Sequence, residues 1–370
     1  MEVDVARFHR MHHVPVPTII VCDGDETGQE LLDESLRVVS AGVLGVEFEL
    51  RHHDLSLAAR RRTNNDVVRD AAEAMRETGL GLKAATVTPP EIGGVGSPNR
   101  LLREGIGGSV IVRTGRRIPG VSPTVTGVQA PIVVVRMAVG DAYGAAEGRE
   151  GLEGDASEVA WRTERIERSI CRRVAEYSFV AAEGNGGIVY GGPKWTVSPT
   201  YEGMLKEEMD AAAARHSTVT YRPNLIDATY ALLMTESHDR TRVIPSLNRD
   251  GDCLSDLVIA MFGSIAGAES ILLSLDDELR PTVAMAEAPH GTAPSLLGKN
   301  VANPMAMLLA LAAVCDHAST RVRDDRYRQA GSRLRQATLD GAAEGVRTFD
   351  LGGEATTSEV VDDVIARLRN

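Results

Sequence analysis

Short apolar segments alternate with helical segments in the N-terminal part of the chain, and this alternation restricts the fold more than any other feature. Residues 16–22 form an apolar run typical of a buried strand, and residues 46–51 and 81–87 predict two further strands. Residues 29–40 and 66–77 lie between these runs and have helical periodicity. Strands that alternate with helices pack side by side in a largely parallel sheet. The sequence therefore predicts an α/β fold.

The rest of the chain predicts elements in a less regular order. Residues 131–137 (PIVVVRM) predict a strong strand, and residues 144–155, rich in glycine and charge, predict a loop or arm. Residues 158–182 have helical periodicity. Residues 253–267 predict a helix whose small side chains favour close packing, and residues 303–317 predict an apolar helix.

Composition and charge exclude several classes of function. The chain has 370 residues and a net charge of −12 at pH 7, whereas general nucleic-acid binding needs basic surfaces that neutralise phosphates. The four cysteines are far apart and form no CxxC motif, which predicts buried thiols in a reducing compartment. No apolar run approaches the roughly 20 residues of a membrane span. We therefore expect a soluble, cytoplasmic protein.

The segment NRDGDCLSD, residues 248–256, places two carboxylates where a cation could bind. If a helix begins near Asp252, then Asp252 and Asp256 are four residues apart and share one face. Two carboxylates at that spacing repel each other unless a cation lies between them, and Mg²⁺ is typically bound by one or two carboxylates together with substrate oxygens. The alternative interpretation is a capped helix start with one solvated aspartate.

Three arginines are candidates for anion binding. Arg103 lies in the segment SPNRLLR, Arg113 follows ten residues later, and Arg136 ends an apolar strand, where its charge needs a partner. If the three converge, their paired N–H donors would suit a polycarboxylate. Taken singly, each arginine is more often part of a surface ion pair.

Two further motifs suggest a nucleotide site and proton-transfer groups. The segment EAPHGTAP, which begins at Glu287, predicts a strand end and a turn, followed by a loop towards Asn303. Such a turn suits a nucleotide or phosphate, although a lone histidine is more often structural. No G-x-G-x-x-G motif follows a strand, so a Rossmann site is not supported. Lys194, in GPKWT, and Tyr143 are candidates for proton transfer.

In this order the segments resemble the β-decarboxylating dehydrogenases of 3-substituted malates, namely isocitrate, 3-isopropylmalate and homoisocitrate dehydrogenases. The resemblance covers roughly residues 16–318. It is closest to isocitrate dehydrogenases in residues 54–90 and in the SxNxxxR segment that begins at Ser97. Its specificity lies in the joint occurrence of these motifs with Asp227, DGDxxxSD and HGTAP…NP, because no single motif would suffice.

The resemblance implies a function for each motif. The malate carboxylates would be bound by three arginines, Arg103, Arg113 and Arg136. The third acidic arm of an isocitrate-type substrate would face two polar residues, Ser97 and Asn99. A Mg²⁺ or Mn²⁺ ion would be held by three aspartates, Asp252, Asp256 and Asp227 of the partner subunit. Protons would be moved by three catalytic groups, Tyr143, Lys194 of the partner subunit and Asp227 of the partner subunit. The nicotinamide nucleotide would be bound, in a site not of Rossmann type, by Thr88, His290, Gly291, Thr292 and Asn303.

The family's fold and assembly are implied in the same way. We expect a two-domain α/β fold of the isocitrate/isopropylmalate dehydrogenase type, in which residues 1–105 and 258–370 form a large nucleotide-binding domain. Residues 106–257 would form a small domain with an intersubunit clasp and the dimer interface. The active site would lie in the cleft between the domains. A homodimer is expected because each subunit would contribute residues to its partner's site.

The implied reaction is oxidation at C2 of the substrate by the nicotinamide, followed by metal-assisted loss of the β-carboxylate as CO₂. We expect NAD rather than NADP, because the positions that bind the 2′-phosphate in NADP-specific relatives carry no cation here. Those positions are Gly93, Leu232, Thr235, Ser295 and Leu296.

Isocitrate is the first candidate substrate. The second is a phosphonate analogue, 3-(phosphonomethyl)malate, which would give 2-oxo-4-phosphonobutyrate, and homoisocitrate also stays open. The alternative from another class is a non-catalytic regulatory subunit of a hetero-oligomer. Such subunits usually lose the lysine, the tyrosine or the metal-binding aspartates, and this chain retains all of them.

Overall fold

The computed structural model describes residues 16–89 and 94–370. In this part of the chain the strands are β1 (Thr18–Asp23), β2 (Glu49–Asp54), β3 (Leu80–Lys83), β4 (Val110–Gly115), β5 (Ile132–Met137), β6 (Asp141–Glu150), β7 (Val159–Arg165), β8 (Ile188–Tyr190), β9 (Thr220–Arg222), β10 (Arg242–Ser246), β11 (Glu269–Leu275) and β12 (Pro281–Glu287). The α-helices are α1 (Glu26–Leu36), α2 (Ala41–Leu44), α3 (Leu57–Thr63), α4 (Asp66–Thr78), α5 (Pro98–Gly105), α6 (Arg168–Gly184), α7 (Tyr201–Arg215), α8 (Ile226–Thr235), α9 (Asn248–Met261), α10 (Met305–Val322), α11 (Asp325–Ala343) and α12 (Thr357–Arg369).

Ten of these strands form one mixed sheet, in the order β2-β1-β3-β12-β11-β4-β5-β10-β8-β9. β1 pairs in parallel with β2 and β3, as the alternation of strands and helices predicted. β11 and β4, at the centre, each run antiparallel to both neighbours. The four strands on one side of this centre therefore run opposite to the four on the other. The predicted α/β fold class is confirmed.

The two faces of the sheet are covered differently. Helices α1, α6, α7 and α10 pack on one face and build the main apolar core with side chains such as Ile19 and Val21. The other face carries two separate cores, one under α4 and α5 and one under α8 and α9. Side chains alternate along a strand, so Arg113 shares the face of Ile111, and Arg136 shares that of Val134. Both arginines thus lie on this face of the sheet, between the core under α4 and α5 and the core under α8 and α9.

β6 and β7 form a two-stranded antiparallel arm outside the main sheet. Most of its side chains are exposed, including Val159 (55% exposed) and Trp161 (42%). A two-stranded ribbon has no core of its own and is marginal in isolation.

The predicted helix over residues 158–182 is wrong in its first part. Val159–Arg165 is strand β7, and α6 begins only at Arg168. Helical periodicity was misleading here because residues 159–165 are held by pairing with β6, and not by contacts along their own segment. The glycine-rich stretch 144–155 belongs to the arm, as predicted.

α10 is the one described helix that is long and apolar enough to cross a membrane by composition. In this fold, however, 72% of its 18 residues are buried within the protein. It packs against α11 and against β12, in the main core. Its apolar character is therefore that of a core helix.

Two valines on α6 test the assignment of the main core. Val174 is fully buried, whereas Val180 is 42% exposed. We expect Val174→Ala to lower the free energy of unfolding by about 2–3 kcal/mol, because it removes two buried methyl groups and leaves a cavity. Val180→Ala should change it by less than about 0.5 kcal/mol. Urea denaturation of both variants measures the difference, and equal losses would contradict the packing described here.

Candidate active site

A cavity of about 380 Å³ opens on the sheet face between the two smaller cores. Its charged lining consists of four arginines and two acids, Arg100, Arg103, Arg113, Arg136, Glu104 and Asp252. Uncharged polar side chains also line it, namely Ser97, Asn99, Tyr143 and Asn248. The excess of cations suits a small anion with several negative charges.

Arg136 is almost fully buried (1% exposed) near the end of β5, so its charge needs fixed partners. Its Nε donates to Asn248 Oδ1 (2.9 Å) and its Nη1 donates to Asp252, both on α9. α9 can approach so closely because residue 251 is glycine: a Cβ there would lie 2.8 Å from the Arg136 Cβ. Burial and the neighbouring charge of Arg103 lower the pKa of Arg136, and Asp252 opposes this shift.

Asp252 and Asp256 share one face of α9, although the helix begins at Asn248, one turn before the start assumed from the sequence. Both carboxylates approach the same atom, Arg113 Nη1, at 3.5 Å and 3.2 Å. Arg113 also donates to Ser255 Oγ (2.9 Å). The aspartate pair therefore already faces a cation, and its hard oxygen donors suit a divalent metal.

Within the described residues, this chain does not form a complete metal site. Residues 16–89 and 94–370 contain no group of three or more His, Cys, Asp or Glu side chains placed to hold an ion. Asp252 and Asp256 supply two carboxylates, and Mg²⁺ commonly takes its remaining ligands from substrate and water. Asp227, the third predicted ligand, is instead hydrogen-bonded to Lys194.

The N-terminal end of α5 points unused polar groups at the cavity. Ser97 precedes the helix but its hydroxyl does not cap it, and Asn99 Oδ1 is buried without a hydrogen-bond partner. Arg103 has no hydrogen-bonded partner among the described residues, and burial lowers its pKa. Buried polar groups are normally paired, so these groups are available to a bound ligand. Arg100, which the sequence analysis did not select, adds a fourth guanidinium beside them.

Tyr143 and the Lys194–Asp227 pair lie in different places. Tyr143, on β6, donates its hydroxyl proton to Asp252 and lies under the Arg136 guanidinium, 5.1 Å from the ring centroid. Burial and the hydrogen bond to Asp252 raise the pKa of Tyr143, which keeps the phenol protonated at neutral pH. Lys194 Nζ donates to Asp227 instead and neither residue lines the cavity. Within the single chain, Tyr143 is thus separated from the other two predicted catalytic residues, Lys194 and Asp227.

Asp227 is the exposed partner of this pair. Its side chain is 62% exposed in the first turn of α8, and the hydrogen bond from Lys194 lowers its pKa. This placement agrees with a site shared between subunits.

Four of the five predicted nucleotide residues lie on two segments that follow strand ends. Thr88 follows β3, whereas His290, Gly291 and Thr292 follow β12, the strand parallel to β3. His290 Nδ1 lies 3.0 Å from the Gly291 carbonyl oxygen, and its Nε2 is buried without a partner. Burial lowers the pKa of His290, so the ring is neutral at pH 7.

Asn303 is tied into the start of α10. Its Oδ1 accepts a hydrogen bond from the Met305 N–H (3.0 Å), and its Nδ2 donates to Asp350 (3.1 Å). Asp350 was not selected from the sequence. Of the five positions compared for NAD and NADP, Gly93 lies outside the described residues.

A buried ion pair next to the cavity also escaped the sequence analysis. Lys83 (1% exposed), at the end of β3, donates to Glu287 at the end of β12 (3.0 Å). Although burial disfavours the charged form, Lys83, Arg103 and Arg113 hold the pKa of Glu287 below its ordinary value. A lysine inside an otherwise apolar strand was the signal that could have identified this pair.

Comparison with known proteins identifies the family. A family model for isocitrate/isopropylmalate dehydrogenases matches residues 18–364. The chain belongs to the isocitrate/isopropylmalate dehydrogenase family. It is 28% identical to the mitochondrial NAD isocitrate dehydrogenase catalytic subunit 5 of Arabidopsis thaliana, over 96% of this chain and 89% of that protein. It is 27% identical to homoisocitrate dehydrogenase of Methanocaldococcus jannaschii, over 95% and 97% of the two chains.

A solved structure shows the same fold. Isocitrate dehydrogenase from Methylococcus capsulatus superposes with a TM-score of 0.83 at 21% identity, over 96% of this chain and 100% of that one. As a family member, the protein is an NAD(P)-dependent decarboxylating dehydrogenase that acts with a divalent metal on a small anionic hydroxy acid. Members of this family are oligomeric.

Removal of the buried lysine tests the Lys83–Glu287 pair. We expect Lys83→Met to lower the free energy of unfolding at pH 7 by about 3 kcal/mol, because it leaves a buried carboxylate with weaker compensation. The folded pKa of Glu287 is depressed, so the stability from this pair is present above the unfolded value of about 4.3 and is lost as pH falls through the folded pKa. Denaturation of the wild-type protein and of Lys83→Met at pH 7 and at pH 3–5 should show that their free energies of unfolding converge in acid.

A matched lysine provides the control. Lys206 pairs with Asp210 one helical turn away on α7, where the aspartate is half-exposed. Lys206→Met should cost only about 0.5 kcal/mol. A loss in Lys83→Met that is no larger, or that is independent of pH, would show that the buried pair does not stabilise the fold.

Proposed function

We propose that this enzyme oxidises and decarboxylates an isocitrate-like 3-substituted malate whose third arm is acidic. The charge of the cavity carries the proposal, since four guanidinium groups face two carboxylates. Ser97 and Asn99 also keep unused hydrogen-bonding groups beside Arg100. An alkyl arm, as in isopropylmalate, would leave such groups unpaired at a cost of about 1–3 kcal/mol each. A carboxylate or a phosphonate would pair with them.

The residues of the protein divide the chemistry between binding and proton transfer. Arg103, Arg113 and Arg136 orient the malate carboxylates through paired N–H donors. Lys194 of the partner subunit, hydrogen-bonded to Asp227 of the partner subunit, takes the proton from the C2 hydroxyl. Tyr143 then delivers a proton to the carbon that has lost CO₂, which requires the protonated phenol that its raised pKa maintains.

The metal and the nucleotide complete the site when bound. A bound divalent ion would stabilise negative charge on the substrate oxygens during loss of CO₂, and a bound nicotinamide would supply the acceptor for the hydride from C2. The ion would be held by three carboxylates, Asp252, Asp256 and Asp227 of the partner subunit. The nucleotide would be held by Thr88, His290, Gly291, Thr292 and Asn303. In that set the buried, unpartnered Nε2 of neutral His290 supplies a hydrogen-bonding group for it.

NAD is the proposed oxidant. Ser295 and Leu296 offer no charge to a 2′-phosphate. Asp350 bonds to Asn303, Ser264 and Thr348, none of which is charged. A carboxylate without a neutralising cation next to the predicted nucleotide residue Asn303 would repel an additional phosphate. Charge therefore favours the ligand without the 2′-phosphate.

We further propose a homodimer that shares its active sites. The exposed Lys194–Asp227 pair, the exposed apolar side chains of the β6–β7 arm and the half-exposed Met234 on α8 all support a second copy covering this side of the molecule. Such an arrangement is isologous, because each chain gives and receives the same residues. We place the enzyme in the cytoplasm, which is consistent with four unpaired cysteine thiols.

A substrate panel tests the proposed function. We expect the purified protein with Mg²⁺ or Mn²⁺ to form NADH with isocitrate. The value of kcat/KM for 3-isopropylmalate should be lower than that for isocitrate by a factor of about 100 or more. NAD should give a lower KM than NADP. Absorbance at 340 nm measures each rate. A preference for 3-(phosphonomethyl)malate would keep the acidic arm and change the substrate, whereas a preference for isopropylmalate would contradict the proposal. No turnover with any malate would favour the regulatory subunit.

Mixed dimers test the shared site. Lys194→Met and Asp252→Asn should each abolish activity, because each removes one proposed catalytic or metal-binding group from every site. Co-expression of the two variants should restore about a quarter of the wild-type rate, since half of the dimers are mixed and each mixed dimer holds one intact site of its two. Asp277→Asn, a highly exposed aspartate, is the control that should leave the rate unchanged. If co-expression restores no activity, the residues do not act across an interface.

A further inference from the structure

The turn between β1 and α1 (DGDETG) has no part in the proposed chemistry, yet it holds the segment that leads to Thr88. Asp25 Oδ2 accepts a hydrogen bond from the Val87 N–H (2.9 Å), and Asp25 Oδ1 accepts one from the Leu57 N–H (2.8 Å). The Asp25 N–H donates to the Ala85 carbonyl oxygen (2.9 Å). Gly24 permits this approach, because a Cβ there would overlap the same oxygen.

Arg60, on α3, holds the same segment from the other side. Its side chain is fully buried and all three of its nitrogen groups are used. Nε donates to the Leu55 carbonyl oxygen (3.0 Å), Nη1 donates to that of Gly96 (3.1 Å), and Nη2 donates to that of Val87. Nη2 also lies 4.0 Å from Asp25 Oδ2. Together Asp25 and Arg60 bind both the N–H and the carbonyl oxygen of Val87.

The two carbonyl groups that Arg60 joins are significant for their positions in the chain. Val87 directly precedes Thr88, a predicted nucleotide residue, and Gly96 directly precedes Ser97, a predicted substrate residue. One buried guanidinium therefore sets the distance between the peptide that carries the nucleotide contact and the peptide that carries the substrate contact. Hydride transfer depends on that distance, because reacting atoms must approach to about 3–3.5 Å.

The choice of arginine supports a positioning function. A buried charge contributes little net stability, since apolar residues of similar volume often serve as well or better. Arginine alone among the side chains presents a planar fork that can bind several carbonyl groups in fixed directions. The same turn reaches the other nucleotide segment, where Thr27 Oγ1 donates to the Ala293 carbonyl oxygen (2.8 Å).

We propose that Arg60 and Asp25 are positioning residues that hold Thr88 and Ser97 at the separation needed for the nucleotide and the substrate to react. This inference rests on the proposed function, since it takes Thr88 and Ser97 as ligand contacts. Neither Arg60 nor Asp25 lines the cavity. Their effect passes through the backbone at Val87 and Gly96.

The test compares Arg60→Lys with the wild-type enzyme. Lysine keeps the charge, but its single nitrogen cannot bind three carbonyl groups that diverge. We expect KM to rise for both the malate and NAD, with kcat/KM about 100-fold lower for each, and an unchanged pH profile because no proton-transfer group is altered. Hydrogen–deuterium exchange of peptides covering residues 84–89 should increase, a readout that does not depend on activity.

Two further variants make the result decisive. Asp25→Asn removes the charge and one of two acceptors, and it decides the question if Arg60→Lys does not fold; its KM values should rise in the same way, to a smaller extent. Arg242→Lys is the matched control, because Arg242 is also buried (2% exposed) but pairs with Glu236 on the far part of the sheet. It should lose stability without a change in KM.

The outcomes separate this inference from the proposed function. If the wild-type enzyme turns over no malate, the proposed function fails. Hydrogen–deuterium exchange at residues 84–89 still tests whether Arg60 and Asp25 hold the backbone at Val87. If the wild-type enzyme is active and Arg60→Lys keeps both KM values, or loses only the stability that Arg242→Lys loses, then Arg60 is a purely structural residue and the inference is overturned.

Discussion

The buried positive charge on the central sheet is the constraint on which the rest of this structure depends. Arg113 and Arg136 project from β4 and β5 on a face that helices cover elsewhere. A guanidinium in such a place is stable only beside acceptors. α9 supplies them through Asn248 and Asp252, and Gly251 allows it to come close enough. The gap between the α4–α5 helices and the α8–α9 helices, and therefore the cavity, follows from this requirement.

The same charges explain why the cavity suits its proposed ligand. Arg113 contacts Asp252 and Asp256, so cation and carboxylate groups alternate along one side of the site. A substrate with several carboxylates and a divalent ion would satisfy both sets at once. Groups that the chain leaves without partners, such as Asn99 Oδ1, lie where an acidic third arm would reach them. In the proposed function, the same residues therefore compensate each other's buried charge and bind the substrate.

The proposed nucleotide and substrate contacts lie on backbone segments that buried polar side chains hold in place. Strands β3 and β12 run parallel and end together, so the segment that leads to Thr88 and the His290 turn leave the sheet at the same edge. Lys83 and Glu287 join these strand ends, and Asp25 and Arg60 fix the chain just beyond β3. Removing one member of such a buried group is costly, but intact groups of this kind contribute little more stability than apolar residues of similar volume. Their value lies in defining one geometry for segments that apolar packing alone would leave less well defined.

The sequence by itself determined the α/β class, the parallel pairing around β1, the family and the residue types of the proposed site, because these depend on local pattern and on motifs. Only the tertiary structure decided which residues meet. Strand β7 replaced the first part of a predicted helix because β6 and β7 are stabilised by each other. Arg60, Lys83 and Asp350 became significant only through partners that lie far away in the chain. Arg100 became significant only through the cavity that it lines. Spacing reports neighbours along one element, whereas buried hydrogen bonds and ion pairs join elements that local periodicity cannot relate.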